Sequence, residues 1–127
     1  MIDMPAIDNA FALASITPFD SLTENELLLV AQHSSSKVFD AGVTIVEAGD
    51  ISEILFTRVE GGIITNGRHS PDIFDAPSVL FGTPTRQNYC AGPEGVRLLS
   101  LSKPHLFTIA RECPDFIVGL RDVLKRS

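Results

Sequence analysis

The sequence lacks any long apolar run, since no stretch approaches the ~20 consecutive apolar residues that a membrane-spanning helix needs. Its first 15 residues contain a short apolar patch, but they carry Asp3 and Asp8 and no basic residue. A secretory signal peptide begins with a positively charged segment, so these residues do not fit one. We therefore expect a cytoplasmic protein without a membrane partner.

Basic residues are also few. Ten Lys and Arg residues stand against 16 Asp and Glu residues, which gives a net charge of −6 at pH 7. A negative field repels the phosphate backbone of nucleic acids, and no stripe of Lys and Arg offsets it. We therefore expect no nucleic-acid partner.

Cysteine and histidine are too few and too scattered to predict a metal site or a disulfide. Cys90 and Cys113 do not belong to a Cys-x-x-Cys pair, so we expect two free thiols of a reducing compartment. The three histidines, His33, His69 and His105, fall in separate segments without a His-x-His pair. A cupin-like metalloenzyme needs clustered ligands on facing strands, and this alternative therefore finds little support.

Motifs of common enzyme classes are absent as well. The sequence has no Gly-x-Ser-x-Gly elbow, no P-loop and no Gly-x-Gly-x-x-Gly. Paired carboxylates such as Asp72 and Asp75 lie beside a turn, where acids are usually solvated. We predict no catalytic residues and no enzyme activity.

The first structural signal in the sequence is a helix start. Thr23 is followed three residues later by Glu26, which is the spacing of a capping box, and Leu22 and Leu27 can pack across it. This pattern predicts a helix over about Glu24 to His33.

From Lys37 onward the sequence changes to short β-branched and aromatic runs that are separated by glycine-containing turns. Such runs at a spacing of roughly 8–12 residues indicate a β-sandwich or barrel. Asn66-Gly67 lies between two runs and predicts a type I′ hairpin, because both residues tolerate positive φ. The short runs are KVF, VTIVE, ILFTRVE and GIIT, and further strands are predicted over QNYCA and VRLLSL, the last with its leucines on alternating faces.

Helix returns after the β region. Ser102 predicts the cap of one helix, and Pro114 starts another. We therefore predict a single α+β domain over residues 1–127 that is mainly β. It consists of a β-roll at about 36–101, preceded by one helix and followed by two helices at about 103–125.

The last predicted helix has one apolar stripe, which consists of Phe116, Ile117, Leu120, Val123 and Leu124. The stripe can pack on the β-roll or on a second copy of the chain. One helix rarely buries both flanks of such a stripe against one neighbour. A homodimer through these residues is therefore a candidate assembly.

Two segments in this order resemble a known family. The residues FDAGVTIVEAGD at 39–50 and ILFTRVEG at 54–61 are similar to the strand–turn signature of cyclic nucleotide-binding domains. The order of the leading helix, the turn glycines and the trailing helices is similar too, from about Phe19 to Leu124. The resemblance implies a double-stranded β-helix, or jelly roll, that works as a regulatory sensor in signal transduction and binds a cyclic nucleotide.

Members of that family hold their ligand with a cassette that reads approximately Phe-Gly-Glu, a short apolar helix, then Pro-Arg-Ala-Ala. Backbone N–H groups at the helix start hold the cyclic phosphate, and the arginine adds a charge-assisted hydrogen bond. The glutamate accepts a hydrogen bond from the ribose hydroxyl. The corresponding part of this chain is SPDIFDAPSVLFGTPTRQNYCAG, residues 70–92.

Two alignments of the cassette are open. In the first, Phe74-Asp75-Ala76 replaces Phe-Gly-Glu and PSVLFGTP supplies the short helix. Asp75 would then cap the amides that receive phosphate and repel the anion, and Ala76 could not bind ribose. Thr85 competes with Arg86 for the arginine position in this alignment.

The second alignment makes Gly82 the cassette glycine and places Thr83 at the glutamate position. It keeps the preceding loop closer to the family's length, and for that reason we prefer it. It also deletes most of the short helix before Pro84. Both alignments end at Arg86.

Neither alignment retains the glutamate, and the preferred one predicts a degenerate ligand-binding set of Gly82, Thr83, Arg86, Gln87 and Asn88. Gln87 and Asn88 replace small residues and would crowd the pocket floor. Losing one charge-assisted bond costs about 1.5–3 kcal/mol, which is one to two decades in affinity. We therefore predict weak or absent binding of cyclic AMP and cyclic GMP.

Arg86 leaves an alternative open. The chain could sense a cyclic nucleotide or another anionic small molecule through this guanidinium, or Arg86 could simply be solvated after a turn. Tyr89, the only tyrosine, is predicted to be a half-buried strand residue and not a platform for a base.

Overall fold

The computed structural model describes residues 4–125, with side chains from Ala6 to Leu124. The helices are α1 (Met4–Leu13), α2 (Glu24–His33), α3 (Ala76–Phe81), α4 (Lys103–Glu112) and α5 (Pro114–Lys125), with a short 3₁₀ turn at Phe19–Ser21. The strands are β1 (Ser35–Phe39), β2 (Thr44–Val46), β3 (Ile54–Thr65), β4 (Arg68–His69), β5 (Ile73–Phe74) and β6 (Tyr89–Ser102). None of the helices in this range is long and apolar enough to cross a membrane.

The predicted capping box starts α2. The Thr23 Oγ1 accepts a hydrogen bond from the Glu26 backbone N–H at 3.2 Å, and the Glu26 carboxylate accepts one from the Thr23 N–H at 2.9 Å. That backbone donor stabilises the charged carboxylate and lowers the pKa of Glu26. The predicted helix over Glu24–His33 is confirmed.

Helix α1 is an addition to the predicted elements. Its residues Ala6, Ala10 and Leu13 are buried at helical spacing. They join Val30 and Ala31 of α2 in one hydrophobic cluster. The same spacing is readable in the sequence and is the signal that identifies this helix.

The long antiparallel pair of β3 and β6 forms the centre of the sheet. The strand order is β1-β6-β3-β4, while β2 pairs with β6 and β5 pairs with β3. The runs ILFTRVE and GIIT are one strand, β3, and VRLLSL continues the strand that begins at Tyr89, β6. The prediction of separate strands is therefore wrong at these two points.

Glycines allow the merged strands to bend. The register between β3 and β6 shifts near Gly61, whose φ is +81°. A Cβ at Gly61 would collide with the backbone of Gly95, which itself has a φ of +76°. Glycine adopts a positive φ freely and leaves room for the neighbouring backbone. The glycines that separate the two sequence runs therefore form a bulge within one continuous strand.

The Asn66-Gly67 hairpin is confirmed. These residues have φ values of +50° and +73°, and they connect Thr65 to Arg68, which are paired across β3 and β4. Positive φ at both central residues is the conformation of a type I′ turn.

Two hydrophobic clusters lie on the two faces of the central strands. The smaller cluster, inside the roll, consists of Val46, Phe56, Ile63, Phe74, Ala91, Val96 and Leu98. The larger cluster joins the helices to the other face and includes Leu55, Leu99 and Leu101. The predicted alternation in VRLLSL is confirmed, because Leu98 and Leu99 enter different clusters.

The two helices predicted at about 103–125 are confirmed as α4 and α5. Three members of the predicted apolar stripe are buried in the larger cluster: Phe116, Leu120 and Val123. Ile117 is 47% exposed, and Leu124 is partly buried. Most of the stripe therefore packs within the chain, and a homodimer through α5 stays a prediction that depends on Ile117.

Both cysteines are free thiols, of which Cys90 is half-buried and Cys113 is buried. Burial raises the pKa of Cys113 to about 11, and a hydrogen bond with Glu26 adds to the increase. Cys113 is therefore protonated at neutral pH and behaves as a small apolar core residue.

Candidate functional site

The short helix of the cassette is present as α3. The preferred alignment, which removes this helix and makes Gly82 the cassette glycine, is therefore wrong. Gly82 instead ends the helix, since its N–H donates to the Ser78 carbonyl at 2.9 Å and its φ is +68°. The helix forms despite its short length because Ala76, Ser78 and Val79 are buried against the rest of the domain.

The first alignment describes the local backbone, with Asp75 at the position of the family's glycine. Asp75 has a φ of +62° and a ψ of +23°, a left-handed conformation that glycine adopts freely and aspartate tolerates. Its side chain does not cap α3, so the expected capping role is wrong. Ala76 occupies the glutamate position and is fully buried.

The Asp75 carboxylate is held by two hydroxyl groups. Its Oδ2 accepts a hydrogen bond from the Ser52 Oγ at 2.5 Å and another from the Thr85 Oγ1 at 2.8 Å. Ser52 also donates its backbone N–H to the Ser78 Oγ at 2.8 Å. We call Asp75, Ser52, Thr85 and Ser78 the Asp75 cluster. It joins the segment before β3, the start of α3 and the segment before β6.

Thr85 directly follows Pro84, as the cassette arginine follows its proline. It is only 4% exposed. Its N–H donates to the Asp50 carbonyl at 2.7 Å, and its carbonyl accepts from the Gly49 N–H at 2.8 Å. The residue that follows Pro84 is therefore the buried Thr85, whereas Arg86 lies one residue further on and is exposed.

Three of the five predicted site residues line one cavity: Thr83, Arg86 and Gln87. The Asn66 Nδ2 donates to the Gln87 side-chain Oε1, and the Gln87 Nε2 lies 3.5 Å from the Tyr89 hydroxyl. Asn88 has a different role, since its Oδ1 accepts from the Ala48 backbone N–H at 2.7 Å. Asn88 and the helix-ending Gly82 therefore support the backbone, and the other three residues face the cavity.

The cavity has a volume of about 640 Å³. Phe74 and Tyr89 form part of its wall and stack with ring centroids 4.8 Å apart. Tyr89 is half-buried in β6, as predicted. Phe81 and Leu124 line the cavity as well, and Phe81 is 67% exposed. Aromatic and polar side chains therefore meet in one cavity whose size is typical of small-ligand sites.

Two charged residues line this cavity, Asp75 and Arg86. The Asp75 Oδ2 already accepts the two hydroxyl hydrogen bonds of the Asp75 cluster. Arg86 makes no ion pair within residues 4–125, where the ion pairs involve other arginines. The cavity therefore offers one cation whose charge is not paired by a carboxylate of the described chain.

Ser52 and Ser78 are site residues that the sequence does not reveal. Ser52 lies 23 residues before Asp75, with which it shares a hydrogen bond. The contact forms because the segment before β3 folds over the start of α3, and no local spacing in the sequence encodes that approach. Only the tertiary structure could identify these two residues.

The three histidines lie on α2, β4 and α4, in separate segments as predicted. The rings of His33 and His105 lie 4.6 Å apart, because α2 packs against α4. His69 lies on β4. Within residues 4–125, no group of three or more His, Cys, Asp or Glu side chains could hold a metal ion.

Solved structures of the same architecture define the type of fold. A cyclic nucleotide-binding domain from Methylobacillus flagellatus matches with a TM-score of 0.77 and 14% identity, over 95% of this chain and 76% of that one. The catabolite activator protein of Thermus thermophilus matches with a TM-score of 0.74 and 20% identity, over 85% of this chain and 56% of that one. The N-terminal domain of a transcriptional regulator from Streptomyces coelicolor matches with a TM-score of 0.71 and 20% identity, over 91% of this chain and 89% of that one. This chain therefore has the jelly-roll fold of cyclic nucleotide-binding domains, as the sequence resemblance predicts.

The matched region is only part of one of these proteins, because it spans 56% of the length of the Thermus protein. No protein-family model matches the sequence, and no curated protein matches it. A fold shared at this level of identity defines the architecture and not the ligand. The ligand of the cavity therefore depends on the lining residues of this chain.

Proposed function

We propose that the chain is a regulatory module of cyclic nucleotide-binding-like fold in which binding of cyclic AMP and cyclic GMP is weak or lost. The observation that carries this proposal is the 2.8 Å hydrogen bond between the Thr85 Oγ1 and the Asp75 Oδ2. A regulatory role without catalysis is supported by the similar structures, which include a catabolite activator protein and a domain of a transcriptional regulator. We place the protein in the cytoplasm.

The Asp75 cluster opposes a cyclic phosphate in two ways. The Asp75 carboxylate lies at the start of α3, where it repels an incoming anion. The Thr85 hydroxyl donates a hydrogen bond to that carboxylate, so it is not free to donate to a ligand. Pro77, in the first turn of α3, has no N–H to offer either. A phosphate at this position would meet negative charge and few donors.

The part of the cassette that would hold the ribose also lacks its hydrogen-bonding group. Ala76 stands at the glutamate position and carries no acceptor for a ribose hydroxyl. Each charge-assisted hydrogen bond is worth about 1.5–3 kcal/mol. Losing both the glutamate and the arginine contact therefore lowers affinity by roughly two to four decades.

Isothermal titration calorimetry with cyclic AMP and cyclic GMP tests this function. We expect no saturable heat at ligand concentrations up to about 100 μM, because two of the charged contacts are missing. A circular dichroism spectrum of the same sample shows whether the protein is folded. Micromolar binding of either nucleotide to the folded protein would contradict the proposal.

A second candidate function is a sensor of another anionic small molecule. The unpaired guanidinium of Arg86 in the cavity wall favours it. Because Arg86 is exposed, its substitution should leave the core intact. This candidate is compatible with the loss of cyclic nucleotide binding, since it uses none of the missing contacts.

A thermal-shift screen of anionic small molecules tests the second candidate. A ligand that acts through Arg86 should raise the Tm of the wild-type protein and leave that of Arg86→Gln unchanged. Arg111→Gln is the matched control, because Arg111 is an exposed arginine on α4 that does not line the cavity. If every stabilising anion acts equally on Arg86→Gln, this function is excluded.

A further inference from the structure

A row of aromatic rings ends in the wall of the cavity. Phe56 stacks on Phe74 with centroids 5.9 Å apart and an interplanar angle of 16°. Phe74 stacks in turn on Tyr89, at 4.8 Å and 29°. Phe56 and Phe74 are buried, whereas Tyr89 is half-buried and lines the cavity. Tyr89 is therefore the end of the row, and its accessible surface can receive one more planar ring.

The mouth of the cavity provides a second apolar surface. Phe81 at the end of α3 is 67% exposed, although a large aromatic side chain gains free energy from burial. Leu124 of α5 lines the same cavity. A flat apolar ligand lying on Tyr89 would also cover part of these two side chains.

The charges of the cavity select a ligand with a single negative charge. Arg86 and Asp75 are its two charged lining residues. A carboxylate can accept two parallel hydrogen bonds from one guanidinium, which then neutralises it. A phosphate dianion would keep excess negative charge next to the Asp75 carboxylate and is disfavoured.

We propose that this cavity binds a planar aromatic monocarboxylate, with its ring on Tyr89 and its carboxylate on Arg86. The inference rests on the second candidate function and names the chemical class of its ligand. Such a ligand has no ribose and no phosphate, so it needs neither of the contacts that Ala76 and Thr85 fail to supply. The volume of about 640 Å³ is ample for a molecule of this class.

Indole-3-acetate and its neutral amide, indole-3-acetamide, are a matched pair of probes that differ in the charge. By isothermal titration calorimetry on the full chain, we expect the acid to bind at least ~10-fold more tightly than the amide. Arg86→Gln should lower the affinity for the acid to that of the amide and leave the amide unchanged. Arg111→Gln should change neither affinity.

The aromatic contact is tested with Tyr89→Leu, which keeps an apolar residue in β6 and removes the ring. Both probes should bind about 2–10-fold more weakly to this variant, because both use the ring surface. If Tyr89→Leu does not fold, the two-dimensional NMR spectrum of the wild-type protein provides the same information. Ring-current shifts on adding the acid should then appear at Tyr89 and Phe81 and not at Phe107, an exposed phenylalanine of α4.

Three results with the indole probes would overturn the proposal. They are no saturable binding of the acid, equal binding of the acid and the amide, and unchanged binding of the acid to Arg86→Gln. Stabilisation by glucose 6-phosphate alone, lost in Arg86→Gln, would overturn the ligand class while the anion-sensor function stands. If no anion in the screen stabilises the protein through Arg86, both the ligand class and the anion-sensor function are contradicted.

Discussion

The triple variant Asp75→Gly, Ala76→Glu, Thr85→Arg is expected to bind cyclic AMP at least ~100-fold more tightly than the wild-type protein. The first change removes the carboxylate that repels the phosphate at the start of α3 and restores the residue that best adopts a φ of +62°. The other two supply a ribose acceptor and a phosphate donor. Each charge-assisted contact is worth about 1.5–3 kcal/mol, so the two together give two to four decades.

Isothermal titration calorimetry of the triple variant measures this gain. Ala76 is fully buried, so a glutamate there carries a risk of misfolding. The double variant Asp75→Gly, Thr85→Arg leaves Ala76 unchanged and should regain about half of the effect in free energy. Because Thr85 is also buried, circular dichroism of both variants is needed to show that they fold. Arg86→Ala is the comparison that leaves the Asp75 cluster intact, and it should gain nothing. A folded triple variant that still does not bind cyclic AMP would show that Asp75 and Thr85 are not the cause of the loss.

Phe116→Ala is expected to lower the free energy of unfolding by about 3–5 kcal/mol. Phe116 is fully buried in the larger hydrophobic cluster. Its ring packs on that of Phe19, with centroids 5.5 Å apart. Its removal leaves a cavity where α5 meets the 3₁₀ turn. Urea denaturation followed by circular dichroism measures the change.

Ile117→Ala is the neighbouring control, because Ile117 belongs to the same predicted stripe and is 47% exposed. It should change the free energy of unfolding by about 0.5 kcal/mol or less in the monomer. If α5 forms a homodimer, Ile117→Asp should dissociate it in sedimentation velocity. A wild-type protein that sediments only as a monomer at high concentration would exclude the homodimer. Equal destabilisation by Phe116→Ala and Ile117→Ala would contradict the assignment of the buried face.

Local sequence patterns predicted those elements of the fold that a few adjacent residues determine. The capping box of α2 and the Asn66-Gly67 turn each depend on a few adjacent residues, so their spacing in the sequence is sufficient. Helix α4 also begins directly after Ser102, but the predicted side-chain cap is wrong, because Ser102 makes no capping hydrogen bond. The bulge at Gly61 could not be predicted in this way, because a glycine within a strand sequence indicates the end of the strand unless the partner strand is known.

The candidate site was harder to predict from the sequence than these elements of the fold, and the cassette shows why. The choice between alignments depended on loop length, whereas α3 is stabilised by the burial of Ala76 and Val79. The role of Asp75 depends on Ser52 and Thr85, which approach it only in the tertiary structure. The sequence therefore predicted that the cassette glutamate is absent, but it retained Arg86 as the cassette arginine and did not reveal the hydroxyl groups that hold Asp75.

Strand β6 has a consequence for the order in which the protein acquires its structure. Within residues 4–125, β1 and β2 have no strand partner except β6, and β3 has its longest pairing with it. Ser35, at the start of β1, pairs with Ser100, near the end of β6. During synthesis β1 and β2 must therefore remain unpaired until the residues of β6 have left the ribosome, whereas β3 can pair with β4 and β5 before then. Pairing between such distant residues also slows folding, so β1 and β2 are the segments that depend most on protection from aggregation in that interval.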